Sequence, residues 1–179
     1  MKRIVVVTGS ARPSAVSKIM TEYVAKKLEA KNVDVKVADI AAMNVPFYDA
    51  ATPPSAEGYE APHESVREWG KTIDEADGVV FVVPEYNHSL SAIQKNAIDW
   101  LYAEWNEKPV AFVGYGWYGA KHTHAHFSDV NDVVKMKLGE TFTGLTFMKE
   151  LNVDGSFADE QAAEAAVDAT LDELLTTVQ

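Results

Sequence analysis

With 179 residues, 47% of them apolar and 24% charged, the chain has the length and composition of one globular domain, 1–179, with a substantial core. A net charge of −11 argues against nucleic acid and against an anionic membrane surface, because both are held by basic patches. The absence of cysteine removes disulfides, thiolate metal sites and thiol catalysis together.

No apolar run is long enough to span a bilayer, and Met1-Lys2-Arg3 leads straight into a strand, with no signal peptide. A cytoplasmic address is therefore expected. Ile4 to Val7 is an all-apolar run, as in a central parallel strand. It ends in Thr8-Gly9-Ser10-Ala11-Arg12-Pro13-Ser14, a small, hydroxyl-rich loop. A helix follows, with Val16, Ile19, Met20, Tyr23, Val24 and Leu28 at helical spacing. Val33, Val35 and Val37 alternate with Asp34 and Lys36, which marks a half-exposed strand near a sheet edge. Residues 40–63 form a long proline-containing connection, and Pro46-Phe47-Tyr48 places apolar rings in it that need a cover. That cover is a ligand, a second subunit or the domain itself. Val66 to Ala76 reads as a short helix with Trp69 and Ile73 inward.

Val79 to Val83 is the run on which the rest is organised, apolar throughout and rich in β-branched residues, as in a strand buried on both faces. Pro84 stops it, since proline offers no N–H to a ladder. Glu85, Tyr86, Asn87 and His88 then crowd one turn. Ser91 with Gln94 reads as a capping box opening a helix with Ile93, Ala97, Trp100 and Leu101 on one face. Pro109 to Val113 makes a fourth strand, ending in the glycine-aromatic turn Gly114–Gly119. Residues 120–138 look helical, and Thr141 to Met148 forms a fifth strand. Ser156 with Asp159 caps a last helix whose core stripe is Ala163, Val167, Leu171, Leu174 and Val178. Its outer row, Glu160, Glu164, Asp168 and Asp172, repels itself at i,i+4 and reads as a solvated face.

Five strands alternating with five helices predict an α/β fold, a doubly wound, five-stranded parallel sheet of flavodoxin-like order 2-1-3-4-5 with helices on both faces. The most apolar strands take the centre and the alternating one an edge. The switch point then lies between the first and third strands. Thr8–Ser17 and Pro84–Ser89 should meet there around one cleft. The first loop has the parts of a phosphate site: a following helix N-terminus, hydroxyls from Ser10, Ser14 and Ser17, and the charged fork of Arg12. It lacks both the lysine-bearing nucleotide loop and the three-glycine dinucleotide fingerprint, so one phosphate is the natural reading. The second loop, with Tyr86, suits a flat hydrogen-bonding heterocycle. One phosphate and one flat heterocycle describe a mononucleotide.

These residues resemble the NAD(P)H-dependent FMN reductase family, which includes quinone, azo-dye and chromate reductases. The resemblance rests on GSARPSAVSK at Gly9–Lys18, PEYNHSLSAIQKNAIDW at Pro84–Trp100 and the turn at Gly114–Gly119, in matching order over most of the chain. It implies that Ser10, Arg12, Ser17 and Lys18 hold the FMN phosphate. It likewise implies that Pro84, Glu85, Tyr86, Asn87 and His88 lie along the isoalloxazine, with Gly116, Trp117 and Gly119 from the fourth-strand turn. Where many relatives carry a small-residue turn, this chain has Trp117 and Tyr118, rings placed to narrow the substrate side. The implied chemistry is hydride transfer from NADPH or NADH to flavin and on to a small-molecule acceptor, by a ping-pong mechanism. Flavin carries that chemistry, so no catalytic side chain is required. The resemblance also implies a homodimer or dimer of dimers, with the 40–63 loop and the Trp100–Trp105 region as contact surface.

Two other readings share some of these features. A flavodoxin-like electron carrier has the same fold and acidic charge, although such carriers usually have a threonine- and glycine-rich phosphate loop with no counterpart to Arg12. A glycosyl-transfer enzyme would use Glu85 as nucleophile, but no paired carboxylate acid lies near it in sequence. His122, His126 and Asp129 share a helical face at i, i+4, i+7, close to a two-histidine-one-carboxylate set. A histidine-rich solvent or interface helix, which would also carry His124, is the simpler reading, and no metal is expected.

Overall fold

The computed structural model describes residues 1–13 and 16–178, so the Ser14 hydroxyl lies outside the described residues. Parallel strands β1 (Arg3–Val7), β2 (Asp34–Ala38), β3 (Gly78–Pro84) and β4 (Pro109–Gly116) pair in the order 2-1-3-4. The fifth position is filled in two pieces, β5 (Lys137–Leu138) and β6 (Thr143–Thr146), each parallel to β4. This is the flavodoxin-like order expected. Burial explains it: every residue of β3 is buried, whereas most of β2 is partly or fully exposed, as befits an edge.

Side-chain alternation splits the core into two layers. Ile4, Val6, Val80, Val82, Ala111 and Val113 face α1 (Val16–Ala30) and α5 (Glu160–Thr177). Val5, Val7, Val79, Phe81, Val83 and Phe112 face α2 (Glu64–Asp74), α3 (Ala92–Asp99) and α4 (Lys121–Val134).

Four expectations are corrected. The fourth helix ends at Val134 instead of 138, because Lys135 turns left-handed at φ 63°. The chain then starts a strand at Lys137, six residues before the β6 piece. Between the pieces β4 advances from Val110 to Val113 while the outer strand advances from Leu138 to Thr143, so the edge bulges. Asp159 alone caps α5, accepting from the Ala162 N–H at 3.0 Å, while Ser156 donates to Asp154. The acidic row of α5 is not left to repel itself. Lys27 bridges Glu164 and Asp168, and Lys31 bridges Asp168 and Asp172. Trp100 and Trp105 are fully buried within the chain. Their indoles donate to Pro46 O at 2.7 Å and Ile98 O at 3.1 Å, while Tyr102, Ala103 and Glu104 between them remain at least partly exposed. The 40–63 connection is strapped to α3 by the same Pro46 carbonyl, which also accepts from Asn96.

The bulge supplies a test of the sheet edge. Glu173 of α5 accepts from the backbone N–H groups of Glu140 and Thr141, both at 2.8 Å. Contact with Thr141 is the main cause that holds this carboxyl below its ordinary value of 4.5, with burial opposing it. The carboxylate's contribution is therefore complete above the unfolded-state value and lost as pH falls through the lower folded-state value. Glu173→Ala is expected to destabilise by about 1–2 kcal/mol at neutral pH. Urea midpoints of the two proteins should converge as pH drops below that window. Equal midpoints at pH 7 would refute the role.

Candidate active site at the switch point

The loops after β1 and β3 meet as expected, and three contacts hold them together. Ser10 Oγ and the Tyr86 hydroxyl share a hydrogen bond of 2.7 Å across the switch point. Gly9 lies so close under β3 that a Cβ there would sit 2.2 Å from Val82 O and 2.3 Å from Pro84 Cδ. Gln94 of α3, fully buried, donates through Nε2 to Val82 O at 2.9 Å and Thr8 O at 3.3 Å, tying the two strand ends. The capping box is thus half made: Ser91 Oγ accepts from the Gln94 N–H, but the Gln94 side chain turns to the strands instead of back to the cap.

The turn after β3 is a two-residue hairpin. Tyr86 and Ser89 exchange backbone hydrogen bonds of 3.1 and 3.0 Å, with Asn87 and His88 both left-handed at φ 50° and 64°. Such turns require positive φ at both central residues, which asparagine tolerates well. Among the described residues, the backbone N–H groups of Asn87 and His88 find no acceptor, nor do those of Ser10 and Ala11. These amides remain available to a ligand.

Glu85 has a definite structural task. Its Oε2 accepts from the backbone N–H groups of His122 and Thr123 at 3.3 and 3.5 Å, in the first turn of α4. The N-cap of that helix, Ala120, has no side-chain oxygen and is left-handed, so the carboxylate from the neighbouring loop takes the capping place. This locks the Pro84–Ser89 turn to the turn that follows β4. Gly119, at φ 59°, has the conformation that glycine accepts most readily and packs behind against Gly144 and Thr146.

Three adjoining clefts surround these loops, and Arg12 and Tyr86 line all of them. One, of about 230 Å³, is bounded by Pro84, Glu85, Gly116, Trp117 and Phe147. A second, of about 550 Å³, adds Asn87, His88 and Tyr118. The third, of about 630 Å³, is mostly apolar, walled by Val45, Phe47, Ala92 and Ile93, with Ser10 at its edge. Arg12 is exposed and has no carboxylate partner among the described residues, so its charge is unspent in an acidic protein. Ser17 is buried, accepts from the Gly9 N–H at 2.7 Å and has its hydroxyl against the Tyr115 phenol. Lys18 is exposed and lines none of the three clefts, and Gly119 lines none either. Burial pushes the Tyr115 phenol up, so it stays protonated beneath the site.

The three histidines of α4 diverge. His126 Nδ1 lies 3.3 Å from Ser89 Oγ, and His124 stacks on Phe142 at 4.0 Å. His122 instead stacks on His88 at 4.1 Å. The helical face of His122, His126 and Asp129 is therefore not the grouping the fold assembles. Sequence reasoning missed His122, Phe147 and Val153 as neighbours of the site. The alternating histidines were the only signal for the first, and no signal marked the other two.

The adjoining clefts are thus bordered by an unpaired guanidinium, four available amides and the aromatic rings of Tyr86 and Trp117. An NAD(P)H-dependent FMN reductase of Nectria sp is 32% identical over 167 residues, which cover 89% of this chain and 82% of that protein. A quinone reductase of Escherichia coli (strain K12) is 37% identical over 102 residues, covering 55% of this chain and 50% of that protein. The solved structure of a flavoenzyme NAD(P)H:(acceptor) oxidoreductase from Paracoccus denitrificans superposes with a TM-score of 0.74 at 27% identity, covering 99% of both chains. The family model for NADPH-dependent FMN reductase matches residues 2–142, and the chain belongs to that family of oxidoreductases.

Proposed function

We propose that this chain binds FMN at the switch point, oxidises NADPH or NADH, and reduces a quinone, azo compound, metal oxyanion or free flavin by a ping-pong mechanism. The observation that carries the reading is the meeting of three clefts on Arg12 and Tyr86, with one charged end and one apolar end. Bound FMN would supply the hydride chemistry, accepting from the nicotinamide and delivering to the acceptor.

The protein's part is binding and orientation. Arg12 offers a charge-assisted fork to the phosphate, with Ser10, the Ser17 hydroxyl and Lys18 around it. Pro84 to His88 present backbone along the ring system, and the Ser10 contact holds Tyr86 in place for it. Gly116 and Trp117 border the same ring, with Gly119 shaping the turn that carries them. Trp117 stands edge-on to Phe147 at 5.5 Å and narrows the cleft on that side. Val45, Phe47 and Ile93 give an apolar wall that excludes water from a transferring hydride. Phe47 is 79% exposed in the isolated chain, which supports a homodimer or dimer of dimers closing over this wall. Among the described residues, no helix is long and apolar enough to cross a membrane.

Because nicotinamide and acceptor would use one cleft in turn, initial-rate plots at several acceptor concentrations should be parallel. Intersecting lines would remove the ping-pong mechanism. The absorbance spectrum of the protein with added FMN tests the cofactor itself: bound-flavin bands are expected, and their absence would overturn the reading. NADPH consumption with a quinone and no partner protein separates a reductase from an electron carrier.

A further inference from the structure

We propose that Glu85, His88 and His122 form a site for a single zinc-class divalent cation at the rim of the cleft. Their ligand atoms, one carboxylate oxygen and one ring nitrogen from each histidine, all lie within 4.8 Å of one another. Glu85 and His88 lie three residues apart in the turn after β3, and His122 comes from the first turn of α4. The fold brings His122 to the other two.

The surroundings support ligation. The His122 and Thr123 amides hold Glu85 Oε2 and orient the carboxylate, while Oε1 has no partner among the described residues. That is the outer support that ligating carboxylates usually have. No ring nitrogen of either histidine is spent on a hydrogen bond to a described residue, and the rings, stacked at 4.1 Å, must turn out of that stack for both lone pairs to face one ion. Tyr118 stands edge-on to both rings, at 5.3 Å from His88 and 5.5 Å from His122, and borders the pair on one side. Ligand atoms around a tetrahedral zinc ion lie roughly 3.4 Å apart, so the set must draw in by about an ångström. His88 is the exposed member and can make that movement by side-chain rotation.

Chemistry selects the ion. Two imidazoles and one carboxylate favour zinc, nickel, cobalt or copper over calcium and magnesium, which prefer all-oxygen cages. The protein's net charge of −11 favours any cation. Three protein ligands leave a fourth position for water, and Glu85 and His88 line the same cleft as Arg12, Asn87 and Trp117. A loaded ion therefore stands where an acceptor would enter. That placement beside an acceptor rests on the reductase reading, whereas the binding does not.

The test is calorimetric titration of Zn²⁺ into the protein as isolated, after treatment with a chelating resin and without added flavin. About one equivalent per chain should bind, with a dissociation constant near or below ~10 μM. His88→Ala and His122→Ala should each weaken it by about 10- to 100-fold or more. His126→Ala, which removes a neighbour outside the cluster, should leave it unchanged. Imidazole ¹⁵N spectra of the unmutated protein give a reading independent of any variant: zinc should shift two of the five histidines, His88 and His122. No binding below millimolar zinc, equal affinity in the His88 and His122 variants, or shifts centred on His124 or His126 would overturn the site. Flavin binding is read separately on Arg12→Ala, a residue outside the cluster, and the zinc titration contains no flavin, so the two failures are distinguishable.

Discussion

Gly9→Ala is expected to destabilise the protein by about 3 kcal/mol or more and to weaken flavin binding along with it. The added methyl carbon would meet Val82 O at 2.2 Å and Pro84 Cδ at 2.3 Å. Neither neighbour is the yielding tip of a flexible side chain. One is a carbonyl of a fully buried strand, already bonded to Gln94, and the other belongs to a ring fixed to its own backbone. Overpacking a well-packed site ordinarily costs ~1–3 kcal/mol, and the absence of a soft neighbour puts this case at the top of that range. The loop after β1 would have to lift from β3, which would break the Ser17 contact to the Gly9 N–H and the Ser10–Tyr86 bond. Gly58→Ala makes the control. It has φ +72° with nothing within 4 Å, so only backbone strain of about 1–2 kcal/mol is expected. Urea unfolding of the two variants tests the difference. A Gly9 variant within ~0.5 kcal/mol of the parent would mean that the two loops are not held as closely as described.

The pattern of apolar runs made the sheet legible. A strand buried on both faces has no polar residue to spare, so Val79–Val83 and Ile4–Val7 declared themselves central, and the alternating Val33–Val37 declared itself an edge. The switch point followed, and with it the meeting of Gly9–Arg12 and Pro84–His88. What the pattern did not show is which polar group serves which. Ser91 and Gln94 had capping-box spacing, but a buried glutamine amide beside two strand-end carbonyls does more by satisfying them than by returning to a cap that is partly met. Glu85 lay within a turn, and only the packing of α4 behind it reveals a helix N-terminus lacking its own cap. The acidic row of α5 was legible as repulsive because i,i+4 spacing is local. Its neutralisation by Lys27 and Lys31 depends on α1 lying alongside, which no local pattern encodes. Trp100 and Trp105 follow the same logic: an indole N–H buries well only with an acceptor, and Pro46 O and Ile98 O are supplied by topology. The end of α4 at Lys135 carried no glycine or proline, so helical periodicity ran on past it.

Arg12→Ala is expected to lower FMN affinity by about 10- to 100-fold while leaving the apo fold nearly unchanged. Arg12 lines all three clefts, is exposed, and has no carboxylate partner among the described residues. In a chain of net charge −11, a cation kept unpaired at the mouth of a cleft is poised for an anion. Hydrogen bonds involving a charged group contribute roughly 1.5–3 kcal/mol, and each 1.4 kcal/mol is about tenfold in affinity. Stability without flavin should move by less than ~0.5 kcal/mol, because no core contact or cap is lost. At limiting FMN the melting temperature should fall, since a ligand stabilises only through its occupancy. With excess FMN, turnover should return toward the parent value if the fork serves binding and leaves hydride geometry to the Pro84–His88 turn. If Arg12 serves only solvation of the loop, the dissociation constant would stay within about twofold of the parent. Titration of apo protein with FMN, followed by flavin fluorescence, distinguishes these outcomes, and an unchanged constant would remove the phosphate from the first loop.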